Sequence, residues 1–150
     1  VENNVLKRTH SSGNWPEPIE YLDQNYIDAH LAKFDEGAIR FTTDAYPTLG
    51  TKEAFVMPKS EFDDLMGATG GDLSLIEKEL ALQEGKLTGN NAVIAWIKKE
   101  DISDIKIPSG NENGADVDFW IPGGKTANGG WSEAVMNLSD QNIPKTLFPF

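Results

Sequence analysis

The sequence predicts a single α+β domain with N-terminal helices and a central, twisted, mostly antiparallel sheet. Three observations lead there. Apolar residues recur at helical spacing in the first half of the chain, short strand-like apolar runs are scattered from Ala38 to Met136, and the two kinds of segment do not alternate in the βαβ order of a parallel sheet. At 150 residues the chain has the size of one compact core.

Residues 1–18 carry turn formers and prolines, ending in Trp15-Pro16-Glu17-Pro18, with no periodicity, and read as a linker into a domain spanning 19–150. A first helix follows, with Ile27, His30, Leu31 and Phe34 on one stripe and Gly37 at its C-terminal stop. Ala38 to Thr42 reads as a strand, Asp44 to Lys52 as a loop and Ala54 to Met57 as a second strand halted by Pro58. Ser60, three residues before Asp63, caps a short helix that buries Phe62, Leu65 and Met66 and ends at Gly67. The next helix starts at Asp72, buries Leu73, Ile76 and Leu80, and ends near Gly85, with Glu77, Lys78 and Glu79 on a solvated face.

Ala92 to Ile97 is apolar on both alternating faces and reads as a central strand covered on both sides. Ile105 to Ile107 and Val117 to Ile121 are shorter strands, the latter turning Val117 and Phe119 inward and Trp120 outward, and Ala134 to Met136 adds another.

Composition excludes several chemistries. Without cysteine there is no disulfide, thiolate nucleophile or cysteine-bound zinc. Only His10 and His30 offer imidazoles, at no metal-ligand spacing, so neither a metal nor another cofactor is expected. No apolar run approaches the roughly eighteen residues of a membrane span, and no basic-then-apolar leader opens the chain, so stable membrane insertion is not expected. A net charge of −11 repels nucleic-acid phosphates. Three explanations remain open: a nuclease brought to RNA by a helper protein, an enzyme acting on a small molecule or a protein, or acidity that serves solubility alone.

The polar, glycine-rich stretch lies late in the chain, in Pro108-Ser109-Gly110-Asn111-Glu112, Trp120-Ile121-Pro122-Gly123-Gly124-Lys125-Thr126 and Gly129-Gly130-Trp131-Ser132-Glu133. Gly-Gly-Lys-Thr could offer N–H groups, an ammonium and a hydroxyl to a phosphate, but Phe119 stands where a P-loop needs its first glycine. Turns between strands are the alternative reading of the same residues.

The opening Val1-Glu2-Asn3-Asn4 resembles the junction at which bacterial contact-dependent growth inhibition exoproteins, which are filamentous haemagglutinin-like, pass into their toxic C-terminal domains. The tail motifs just quoted, with Glu133-Ala134-Val135, resemble polymorphic toxin domains of that group. So do His30-Leu31-Ala32-Lys33-Phe34, Arg40-Phe41 and Phe55-Val56-Met57-Pro58-Lys59-Ser60. The resemblance spans about residues 26–136. It departs from the usual pattern in leaving little room for a separate helical entry domain after the junction.

That resemblance implies a toxin displayed on the producing cell as part of a large exoprotein and acting in the target-cell cytoplasm. It implies a cognate immunity protein, for which the toxin's acidity predicts a basic contact face. Many such toxins are ribonucleases, often against transfer RNA and sometimes requiring a translation elongation factor. For metal-independent cleavage, a base must take the ribose 2′-OH proton, an acid must protonate the leaving oxygen and cations must stabilise the phosphorane. His30, Arg40 and Lys125 are the candidates for those roles, Thr43, Ser109 and Thr126 can bond the phosphate, and Glu112 and Glu133 are candidate general bases. His30 equally suits a satisfied core histidine, and Arg40 a salt bridge.

Two rival readings use the same chain. An NAD-using toxin, an ADP-ribosyltransferase or NAD glycohydrolase, would read Arg40, Ser60 or Thr43, and Glu133 in that order. A non-enzymatic effector would act by occupancy alone.

Overall fold

The computed structural model describes residues 16–43, 53–89, 91–112, 115, 120–127, 129–138 and 146–147. They form an α+β domain. Five strands, β1 (Ala38–Thr43), β2 (Ala54–Pro58), β3 (Ala92–Ile97), β4 (Ala134–Met136) and β5 (Thr146–Leu147), make one sheet in the order β4-β2-β1-β3-β5. Every neighbouring pair is antiparallel. The three α-helices are α1 (Gln24–Ala32), α2 (Lys59–Thr69) and α3 (Leu73–Glu79).

Strand alternation divides the apolar side chains between two cores. Ala38, Val56, Ala95, Ile97, Ala134 and Met136 pack with Phe34 on one face. Ile39 and Met57 pack on the other with Leu65 of α2, Ile76 of α3 and Leu87, while Phe41, Phe62 and Trp131 close around them. The larger of these buried side chains, the valine, leucines, isoleucines, methionines and phenylalanine, each contribute about 1.5–3 kcal/mol.

Local chemistry sets the element ends. Pro58 lies in extended backbone at the α2 N-cap, and Gly70 ends that helix in the left-handed conformation at φ +62°. Asp72 caps α3, its Oδ1 accepting from the backbone N–H and hydroxyl of Ser74 at 2.9 and 2.7 Å. Gly37 is required where α1 and its trailing 3-10 turn meet β1, because its φ is +108° and a Cβ there would lie 2.7 Å from the Ile97 carbonyl and the Trp96 indole nitrogen.

The first helix, the strands at 38, 54, 92 and 134 and the two middle helices all occur as the sequence predicts, with five differences. First, α2 runs through Gly67 to Thr69, because Gly67 faces open space and positive φ begins only at Gly70. Ser60 lies inside that helix and donates to the Lys33 carbonyl rather than capping. Second, α3 stops at Glu79, and the following Ala81 sits at φ +56°.

Third, Glu77 is not on a solvated face. It is 3 % exposed, and its carboxylate accepts from the backbone N–H groups of Gly85, Leu87 and Thr88. Burial alone would raise its pKa, but those donors together with the Thr88 hydroxyl hold it below the usual range. Fourth, β1 is the middle strand; β3 lies beside it with Trp96 52 % exposed, so one face is only partly covered. Lys59 stands 5.6 Å over that indole. Fifth, Ile105 to Ile107 contributes a single bridge, Lys106 to Val135, and Trp120 is buried instead of facing out. The predicted loop at 44–52 and the strand residues 117–119 lie outside the described residues.

Candidate active site

The ladder between β1 and β2 is short for strands of six and five residues: Ala38 pairs with Pro58 and Ile39 with Met57. At the next position a side chain takes over from the backbone. Arg40 Nη1 donates to the Phe55 carbonyl at 2.9 Å, and a cavity of about 290 Å³ opens beside it. The sheet wall consists of Ile39, Phe41, Phe55 and Met57; Leu80, Leu82 and Lys86 come from the loop after α3; Trp120, Thr126, Ser132 and Glu133 come from the C-terminal loops. Glu53 stands at the rim, with a 3.7 Å ion pair to Lys106.

Three ionisable groups of this cavity are perturbed, each chiefly by desolvation. Burial pushes Arg40 down to about 10, which leaves it a cation at neutral pH. Burial lowers Lys86 as well, and the Arg40 charge lowers it further. Glu133 rises to about 7, first through burial and then through the charge of Glu112. A carboxyl that titrates near neutrality in a cavity holding two cations is a candidate acid–base group with phosphate-binding partners.

No family model, curated protein or solved structure matches the chain. The site is therefore read from its own geometry.

Polar anchors hold the loops of this cavity, one of them nearby in sequence and the others far away. Glu77, bonded to the N–H groups on both sides of Lys86, shapes the turn that presents this lysine. The end of α3 grips the C-terminal loop: the Glu79 carbonyl accepts from Thr126 Oγ1 at 2.8 Å, and its carboxylate accepts from Trp131 Nε1 at 3.0 Å. Ser132 is fully buried and donates through its N–H and hydroxyl to the two oxygens of Glu61 at 2.9 and 2.7 Å. The ammonium groups of Lys33 and Lys125 both donate to that hydroxyl at 3.1 Å. Burial and the nearby Lys33 lower the Lys125 pKa, and Glu61 opposes them.

Of the eight residues that the sequence singles out, Arg40, Thr126 and Glu133 line the cavity. His30 is 2 % exposed, stacked on Tyr26 at 5.9 Å and tilted against Phe34 at 6.3 Å, with Nε2 donating to the Glu133 carbonyl at 2.9 Å. Its surroundings are those of a core histidine. Lys125 is spent on Ser132, and the Thr126 hydroxyl on the Glu79 carbonyl while accepting from Trp131 N–H. Glu112 is 4 % exposed and accepts from Ser109 N–H, Ser109 Oγ and Gly110 N–H at 2.9–3.0 Å, so these residues close one turn upon themselves. The Thr43 hydroxyl is buried near the end of β1, with no hydrogen-bond partner among the described residues.

Lys86 and the aromatic wall escaped sequence reasoning. A lysine one residue after Gly85 reads as ordinary turn surface, and nothing local shows that Glu77 folds the turn inward. Among the described residues no three His, Asp or Glu side chains gather around a common metal position.

Proposed function

We propose that this chain is the toxic domain of a contact-dependent growth inhibition exoprotein and acts as a metal-independent ribonuclease, with transfer RNA its substrate, in the cytoplasm of a target bacterium. The observation that carries the chemistry is the meeting in one cavity of Glu133, titrating at about 7, with the cations Arg40 and Lys86. The opening tetrapeptide and the tail motifs carry the biological setting.

In this reading the Glu133 carboxylate takes the proton of a ribose 2′-OH, and the freed oxygen attacks the adjacent phosphorus. Arg40 neutralises the charge that builds on the phosphorane. The bond from phosphorus to the 5′-oxygen breaks, and the lowered pKa of Lys86 suits its ammonium to protonating that leaving oxygen. The products are a 2′,3′-cyclic phosphate and a 5′-hydroxyl. Phe41, Phe55 and Trp120 offer faces for a base. With a net charge of −11 the domain needs help in reaching RNA, a task suited to a translation elongation factor. The immunity protein that protects the producer meets this acidic surface with a basic face.

A second reading is favoured by the same pair of residues in chain order. Arg40 on an early strand and Glu133 near the C-terminus line a cavity suited to part of a small dinucleotide, as NAD-using chemistry requires. Its middle hydroxyl is the weak member, since Ser60 donates to the Lys33 carbonyl within α2 and the Thr43 hydroxyl is buried.

The test is inducible expression of the domain, followed by total RNA on a denaturing gel beside Arg40→Ala and Glu133→Gln variants. Shortened transfer RNA that vanishes in both variants supports the ribonuclease. Growth arrest with intact RNA and falling cellular NAD moves the assignment to the second reading, and undiminished toxicity of both variants points to a non-enzymatic effector.

A further inference from the structure

We propose that His30 is a positioning residue that braces the backbone of Glu133 and so aims its carboxyl at the cavity; this rests on reading Glu133 as the acid–base group. Both backbone polar groups of Glu133 are engaged. Its carbonyl accepts from His30 Nε2 at 2.9 Å, and its N–H donates to the Gly124 carbonyl at 2.8 Å. Gly124 in turn lies against the imidazole so closely that a Cβ there would stand 2.5 Å from Nε2. Tyr26, which stacks on His30, donates its hydroxyl to the Gly123 carbonyl. One helix therefore grips, through two side chains spaced four residues apart, both the Gly-Gly turn and the residue that the turn holds.

The geometry also fixes the state of the ring. Since a carbonyl can only accept, Nε2 carries the proton, and Nδ1 is buried with no hydrogen-bond partner among the described residues. A second proton would create a buried donor without an acceptor, next to the ammonium groups of Lys33 and Lys125, with Glu61 opposing them. Burial, the largest influence, lowers the His30 pKa in the same sense. The brace therefore works with a neutral imidazole. The charge of Glu112 helps to keep the proton on Glu133.

His30→Phe keeps the stacking and removes the donor, while His30→Gln restores a side-chain N–H of similar reach. On transfer RNA, the Phe variant is expected to lower kcat by about 100-fold with KM unchanged, the penalty of roughly 1 Å of misplacement. It is also expected to displace the acid limb of the kcat–pH profile, and Gln is expected to recover most of both. Independently of catalysis, hydrogen exchange at the Glu133 amide should speed up in Phe and return toward wild type in Gln.

A folded Phe variant with wild-type amide protection, rate and acid limb overturns the brace. If Phe does not fold, Gly124→Ala presses on the same contact from the other side, and unchanged protection of the Glu133 amide there overturns it equally. Retained activity in Glu133→Gln removes instead the reading on which the catalytic part rests, leaving the exchange result to judge the brace alone.

Discussion

Replacing Glu133 with glutamine separates the energetic cost of the site from its chemistry. In the folded domain this carboxyl titrates at about 7 against an ordinary 4.5, because burial and the charge of Glu112 both disfavour its ionised form. Between pH 4.5 and 7 the folded protein keeps a proton that the unfolded chain has released. Stability is therefore lost as pH rises through this window, and the loss is complete above about 7. A rise from 4.5 to about 7 sets the upper size of that loss at about 3 kcal/mol.

Glutamine has the same shape and no charge to desolvate. At pH 8 the variant should gain up to about 3 kcal/mol over wild type, or roughly 6–12 °C in Tm for a domain of this length. At pH 4, where the carboxyl is neutral in both states, the two proteins should melt together. Urea unfolding at pH 4, 6 and 8 reads the difference directly. A gain equal at all three values, or a loss that grows with pH, refutes the assignment of a desolvated, near-neutral carboxyl. The same substitution removes activity under the proposed mechanism, so stabilisation at pH 8 with loss of toxicity is the joint signature.

Glu77→Ala should cost about 3 kcal/mol by stripping the acceptor from a buried set of N–H groups, and because this carboxylate's pKa is depressed, its contribution should be present above pH 4.5 and fade on acidification, as denaturation across pH 3–7 will show. Gly124→Ala combines φ +75° with a contact on His30 and should lose about 2–3 kcal/mol, against about 1 kcal/mol for Gly70→Ala, whose Cβ meets open space, both read by thermal melting. Arg40→Ala should lower toxicity by about 100-fold or more while costing about 1–3 kcal/mol of stability through the unpaired Phe55 carbonyl, measured by growth competition and urea titration.

The fold was largely legible because its signals are local. A continuous apolar run marked the strand at 92–97, and helical spacing marked the stripe that carries His30 and Phe34. Where the reading slipped, a distant partner had decided. Glu77 looked solvated on its helix until the turn at 85–88 folded over its carboxylate, and Trp120 followed strand parity outward until the C-terminal loops enclosed it. The site was less legible for the same reason. Arg40 and Glu133 were both named from residue type, but that they share a cavity depends on β1 and β2 keeping only two rungs. His30 was named for its chemistry, and its geometry makes it a support.

The walls of the cavity come from segments around 39–41, 53–57, 80–86 and 120–133, so no short stretch of chain contains the site. Its decisive contacts close very large loops: His30 meets Glu133 across 103 residues and Tyr26 meets Gly123 across 97. Non-local closures of this kind come late in folding, because the entropy of ordering the intervening chain is lost before the contacts form. An extended or half-folded chain therefore carries every residue of the site and none of its geometry. The geometry of the site therefore depends on the first helix meeting the loop at 123–133.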